Sequence, residues 1–216
     1  DYYNLGAGHL AKAQNEEGFT LEVEDYSITV ITYEGLSKIG FNEKSEKKLV
    51  TSIKSILSQG EVGREAAIVE EQISSMVDRA LQKSEINIED MGIDAIIVDE
   101  AHNFKNLFTQ VRGEATVGEY GETGRESNHY ELQGKKPSAR AIKLFMLNRY
   151  VQLKHNRRNT IGLTATPFTN SPLEIYSIQA LFDYDGLKEH GIENIVDYFN
   201  SFIDERYEAV WTSRGR

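Results

Sequence analysis

The sequence predicts an α/β fold in three layers: a mainly parallel sheet with helices on both faces. Three observations predict it. Short β-branched runs alternate with longer stretches whose apolar residues recur every three or four positions. One run, "AIIV" at 95–98, is continuously apolar, as expected of a strand buried on both faces of a parallel sheet. That run and a later one, "NTIGLTATPF", both end in acidic or hydroxyl-bearing residues, and in such sheets ligands gather at the carboxyl ends of the strands.

Taken in order, "YSITVITYEGL" places Ile28, Val30, Ile31 and Tyr33 in a β-branched strand pattern. Between Glu43 and Gln59, Leu49, Val50, Ile53, Ile56 and Leu57 mark one face of a helix, which "QGEVG" breaks. A second helix spans roughly Arg64 to Gln82, with Val69, Ile73, Met76, Val77 and Ala80 on its stripe. The strand "GIDAIIVDEAH" follows. Glycines 113, 118, 121, 124 and 134 then punctuate a polar stretch, read as a loop insertion over 112–136, either a mobile surface excursion or a nucleic-acid- or partner-contacting loop. Helical spacing returns from Ala139 to Lys154, with Ile142, Phe145, Met146, Arg149 and Tyr150 on the packed stripe. The strand "NTIGLTATPF" stops at Pro167, and Leu173 to Phe182 and Ile192 to Phe202 read as helices. No internal repeat is present.

Size and composition bound the function. A chain of 216 residues with 39% hydrophobic content and 11 tyrosines and 9 phenylalanines has enough apolar surface to bury a core. The absence of cysteine rules out a disulfide framework or thiolate metal site and suits a reducing compartment. No run approaches a membrane span and the first residues carry no signal pattern, so the expected location is cytoplasmic, or nuclear in a eukaryote. The net charge of −10 excludes a uniformly basic nucleic-acid binder but not a local basic surface. The chain begins at Asp1 rather than methionine, which we read as a piece of a longer protein.

The chemistry concentrates in "IIVDEAHNFKN". A magnesium ion on phosphates keeps several waters, so one carboxylate at a rigid strand end, Asp99, suffices to hold it, directly or through water. The adjacent Glu100 is the candidate to orient and deprotonate an attacking water, and His102 to bond a neighbouring strand end. The competing reading is that Asp99 and Glu100 merely cap a strand leaving the core. Zinc bound by Glu100 and His102 is disfavoured, because their spacing of two is not the helical four of a metalloprotease pair. Thr164, Ala165 and Thr166 end the second strand with hydroxyls that can reach the acid turn; alone they are also ordinary strand-end residues.

Together, in this order, the two segments resemble the hydrolysis and coupling boxes of superfamily-two helicases and translocases. The match is closer to the Swi/Snf-type branch, where the acid box runs on into a lysine-asparagine pair, here Lys105 and Asn106. The "TATP" box there leads to an asparagine and a leucine-acid-aromatic helix, here Asn170, Leu173, Glu174 and Tyr176. "ITYEGL", with Thr32 and Tyr33, is similar to the strand between that family's phosphate loop and its acid box. The resemblance runs discontinuously from about Ile28 to Phe182. It implies a RecA-like, P-loop NTPase lobe with Asp99 serving magnesium, Glu100 activating water, and His102 with Thr164 to Thr166 coupling hydrolysis to movement on DNA.

No GxxxxGK[ST] occurs; "NLGAGHLAK" has neither its spacing nor its terminal Lys-Ser/Thr pair. Residues 1–182 are therefore expected to be a partial RecA-like lobe, and 183–216 a helical extension toward the remainder. ATP and Mg2+ would serve the parent protein, with no tight binding by this piece alone. The expected partners are DNA, preferentially double-stranded, and a second RecA-like lobe in the parent chain, with no membrane. A lobe lacking its first strands exposes sheet edges and is prone to self-association. Thr32, Tyr33, Lys105, Arg157 and Arg158 are the candidates for nucleic-acid contact, the last two in the basic stretch "LKHNRRN", where cations equally offset a helix dipole. The competing function is a catalytically inactive, motor-derived scaffold, which has no evident need of both acids and the Thr-Ala-Thr strand end.

Overall fold

The computed structural model describes residues 2–5, 27–58, 64–82, 84–108, 110–116, 127–133, 137–167, 169 and 172–202. The architecture is α/β, with short parallel strand pairs and helices on both sides, as expected of an incomplete RecA-like lobe. Strands β1 (Tyr2–Leu5) and β2 (Ile28–Ile31) pair in parallel, as do β3 (Ile39–Gly40) with β4 (Ile86–Asn87) and β5 (Ile96–Val98) with β8 (Thr160–Gly162). Strands β6 (Gln110–Thr116) and β7 (Ser127–Gln133) pair antiparallel instead.

The first expected strand ends earlier than its apolar pattern. Thr32 turns the chain: its hydroxyl accepts the Gly35 amide at 3.1 Å and caps the short helix α1 (Tyr33–Leu36), so Tyr33 is helical rather than extended. Helix α2 (Glu43–Leu57) starts at Asn42, whose side chain accepts from Ser45, with Glu43 and Glu46 favourably placed in its first turn. Its Leu49, Ile53 and Ile56 face the core, and Ile73, Val77 and Ala80 of α3 (Arg64–Leu81) join them.

Helix α4 (Ala139–Lys154) departs from expectation. A single stripe was predicted, yet every residue from Ala141 to Arg149 is buried, because the helix packs against α1, α2, α3 and β8 at once. Its buried polar residues are therefore bonded. Lys143 donates to the Ile39 carbonyl and to Ser84, Asn148 to the Leu181 carbonyl, and Gln152 to Thr160 and the Phe182 carbonyl. Asn156, at φ 51°, ends the helix: the Arg157 amide then reaches back to the Gln152 carbonyl at 2.7 Å, a Schellman-type closure.

Helix α5 (Pro172–Glu189) runs past the expected end at Phe182. It kinks at Asp183, whose carboxylate accepts the Gly186 amide and restarts the helix. The Leu181 and Phe182 carbonyls beside the kink are those that Asn148 and Gln152 satisfy. Helix α6 (Ile195–Phe202) begins three residues later than predicted. Tyr184, Ile192, Ile195, Tyr198 and Phe199 belong to the same hydrophobic cluster as α4, so residues 183–202 share the core of the lobe.

Two further expectations change. The 112–136 segment, read as a loop, carries most of a two-stranded antiparallel ladder running from Gln110↔Gln133 to Thr116↔Ser127. Strand β5 is not buried on both faces: Val98 faces the core, but Ile97 is 67% exposed, beside Ile161 of β8 at 51%. Successive strand residues alternate faces, and among the described residues the second face of this pair is incompletely covered. The glycine-rich string from Gly6 onward, and the chain beyond Phe202, lie outside the described residues.

Candidate functional site

The pairing of β5 with β8 builds the site. Ile96, Ile97 and Val98 register with Thr160, Ile161 and Gly162, and the ladder extends one step further, the Leu163 amide donating to the Val98 carbonyl at 2.8 Å. The Leu163 carbonyl then accepts the Ala101 amide at 2.9 Å. One residue of β8's continuation thus bonds both Val98 and Ala101, so Asp99 and Glu100 bulge out of the ladder into solvent. Glu100 makes the turn possible by adopting the left-handed conformation, φ 49° and ψ 50°, which is costly for a residue with a side chain. A 3-10 turn, Ala101–Phe104, follows, anchored by the buried Ala101 and Phe104.

The polar groups of this bulge are wired together. Asp99 Oδ1 accepts the Glu100 amide at 2.9 Å, and the carboxyl group is at the surface. His102 Nδ1 lies 3.1 Å from Glu100 Oε2 and 3.1 Å from Thr164 Oγ1. The imidazole nitrogen is thus hydrogen-bonded to Thr164, in a direction set by the tautomer, and lies within ion-pairing reach of the Glu100 carboxylate when the ring is protonated. Thr164 Oγ1 also accepts the Thr166 amide at 3.2 Å, which rounds the strand end into a turn with Ala165 and Thr166 exposed. Residues from two strand ends, Glu100, His102 and Thr164, are therefore in direct contact through one imidazole nitrogen.

Tyr33 joins them from a third element. Its hydroxyl donates to the Asp99 carbonyl at 2.9 Å and accepts from the Asn103 amide group at 3.3 Å; its ring meets Phe104 edge-on at 5.4 Å, with the Arg140 guanidinium over the ring at 5.5 Å. Lys105, a candidate for nucleic-acid contact, pairs with Glu174 Oε1 at 3.1 Å and donates to Thr169 Oγ1. Arg157 pairs with Glu189, and Lys154 and His155 share Asp94, whose carboxyl group the Lys154 hydrogen bond and charge hold below the usual range. Arg158 is exposed, and Thr32 serves as the α1 cap. Asn170 lies outside the described residues.

The structure adds residues that sequence reasoning left without a role. Asn103 donates to the Glu100 carbonyl at 3.1 Å as well as to Tyr33. Glu174 Oε2 accepts the Thr169 amide at 2.7 Å. The signal for Glu174 was the pattern Ser171-x-x-Glu174 with Pro172 starting the helix, a helix-start signature. For Asn103 and Arg140 there was no signal. Among the described residues, no group of three or more acidic or histidine side chains could hold a metal by itself.

Residues 23–208 match the family described as "Probable helicase domain". The chain belongs to that family. It is also similar to the "Defense against restriction protein B" of Escherichia phage P1, 27% identical over 142 residues, which is 64% of this chain and 6% of the phage protein. The chain thus spans about 6% of the length of that relative. No solved structure matches it. Among the described residues, no helix is long and apolar enough to cross a membrane.

Proposed function

We propose that this member of the helicase-domain family is the acid-box part of a first RecA-like lobe in an ATP-driven DNA helicase or translocase of Swi/Snf-like type. The single observation that carries the proposal is the unit Glu100–His102–Thr164. It joins the carboxylate suited to handling water to the end of the neighbouring strand, with both contacts made by one imidazole nitrogen at 3.1 Å. A strand that merely left the core would need neither the left-handed glutamate nor a histidine spanning two strand ends.

The residues fit a nucleotide-bound Mg2+. Asp99 presents a solvent-facing carboxylate with one oxygen engaged by a backbone amide, and a hydrated magnesium on phosphates needs no protein cage. When bound, the ion supplies positive charge against the phosphate oxygens. Asp99 holds that position, directly or through water. Glu100 orients the attacking water and accepts its proton. His102 carries any change in the position of Glu100 to Thr164, and so to the loop ahead of α5. The phosphate-cradling loop, a second RecA-like lobe and double-stranded DNA complete the machine elsewhere in the parent protein. Countering restriction, the setting in the phage relative's name, is the biological role we carry over.

The test is steady-state ATP hydrolysis by the intact protein with and without DNA. Wild type is expected to turn over and to be stimulated by DNA, and Glu100→Gln to lower kcat by about 100-fold or more. The 216-residue chain alone is expected to show no turnover and no heat of ATP binding. Robust hydrolysis by that chain alone, or an unimpaired Glu100→Gln, overturns the reading.

A further inference from the structure

We propose that Lys105 and Glu174 form a strut that keeps the acid turn and the hydroxyl loop in register, making Lys105 a positioning residue for hydrolysis; this rests on the reading of the site given above. Lys105 follows the 3-10 turn directly, and its ammonium sits 3.1 Å from Glu174 Oε1 in the first turn of α5. The ammonium also donates to Thr169 Oγ1, while Glu174 Oε2 accepts the Thr169 amide at 2.7 Å. The two charged side chains are only 13% and 8% exposed. Thr164 and Thr169 are therefore both held by one short turn, the first through His102 and the second through Lys105.

Stability alone gives little reason for this arrangement. A largely buried ion pair is often no more stabilising than apolar residues of the same size, because desolvation offsets the attraction. The elements it joins are already held by packing: Phe108 lies against Tyr176 with ring centroids 4.8 Å apart, and Phe104 and Leu107 are buried on either side of the lysine. What the charges add is direction. Thr169 can meet both partners in only one alignment of turn and helix, so a movement of the acid turn draws the start of α5 with it. His102 without Lys105 would leave Thr169 tied to α5 alone, through Glu174, and no longer to the acid turn.

The experiment uses the intact protein with Lys105→Met, Lys105→Arg and Glu174→Gln, reading melting temperature, KM for ATP and DNA-stimulated kcat. Lys105→Met and Glu174→Gln are expected to lower kcat by about tenfold with KM within about twofold of wild type, and Lys105→Arg to recover at least about half of the lost rate. Glu174→Gln retains an acceptor for the Thr169 amide, so it decides the matter if Lys105→Met does not fold. Unchanged kcat in the neutral variants, a rise in KM alone, or a rate loss that follows the loss of folded protein overturns the strut. A wild-type protein without ATPase activity would instead remove the functional reading beneath it, an outcome separate from turnover indifferent to Lys105.

Discussion

The hydroxyl of Tyr33 donates to the backbone carbonyl of Asp99 at 2.9 Å, across 66 positions of sequence. That carbonyl lies in the bulge where Asp99 and Glu100 leave the β5–β8 ladder, and Tyr33 is what holds it from the far side. Removing the hydroxyl with Tyr33→Phe leaves the edge-on contact with Phe104 but frees the bulge. We expect a stability loss at the low end of about 0.5–1.5 kcal/mol, since the site is half-exposed, and, on the proposed function, a several-fold fall in the ATPase kcat of the intact protein. Thermal unfolding and steady-state ATPase measurements check the two parts separately. A loss of stability with unchanged kcat would confine Tyr33 to a structural role.

Gly162 ends β8 where α5 crosses it. A β-carbon there would lie 2.5 Å from the ring of Phe182, which packs against the core just before the kink. Gly162→Ala should therefore destabilise the lobe by about 1–3 kcal/mol through overpacking. Urea titration measures it. Restoring stability by adding Phe182→Leu to the alanine variant would identify the ring as the obstacle, and failure of that rescue would refute it.

Lys143 links stability to pH. Burial, opposed by the charge of Glu46, pushes its ammonium from 10.5 down to about 8. Below pH 8 the group is charged in both folded and unfolded chains, and the cost of burying the charge is fully present. Between about 8 and 10.5 the unfolded chain holds a proton that the folded one has released, so stability rises with pH across that window. Relative to Lys143→Met, wild type should gain on the order of 3 kcal/mol at most between these limits. Denaturant melts of both proteins at pH 7, 9 and 10.5 check it; parallel pH profiles would refute it.

In the basic turn after α4, Arg157 is engaged by Glu189 whereas Arg158 is exposed. On the proposed function this turn meets a DNA backbone in the intact protein, and Arg158→Glu should then reduce the salt slope of DNA binding by about one and Arg157→Glu by less. Binding isotherms over a range of salt concentrations measure both. Equal slopes for wild type and Arg158→Glu would leave these cations with only their helix-end role.

Much of the site was legible in local patterns. "VDEAH" and "TATP" marked the two strand ends that β5 and β8 bring together, and apolar residues at three- and four-residue spacing marked α2, α3 and α4. Other features were misread for identifiable reasons. The apolar run at Ile96 to Val98 looked doubly buried, because hydrophobicity records a tendency to be covered rather than what covers it. Arg149 was placed on the packed stripe of α4 and is buried, but the stripe was underestimated because the polar Lys143, Asn148 and Gln152 fall outside its apolar repeat. All four are buried, with hydrogen bonds to β3, β8 and the kinked α5.

By itself, then, the sequence determined the α/β alternation, the two chemically loaded strand ends and the absence from these residues of a phosphate-loop motif, since each is written in neighbouring residues. Only the tertiary structure decided partners: Tyr33 with Asp99, His102 with Glu100 and Thr164, Lys105 with Glu174, and Arg157 with Glu189. Periodicity tells a side chain which face it occupies. Which charge or carbonyl waits opposite depends on strand register and helix packing between distant segments, and one residue's shift in the β5–β8 pairing would reassign the contacts at its end.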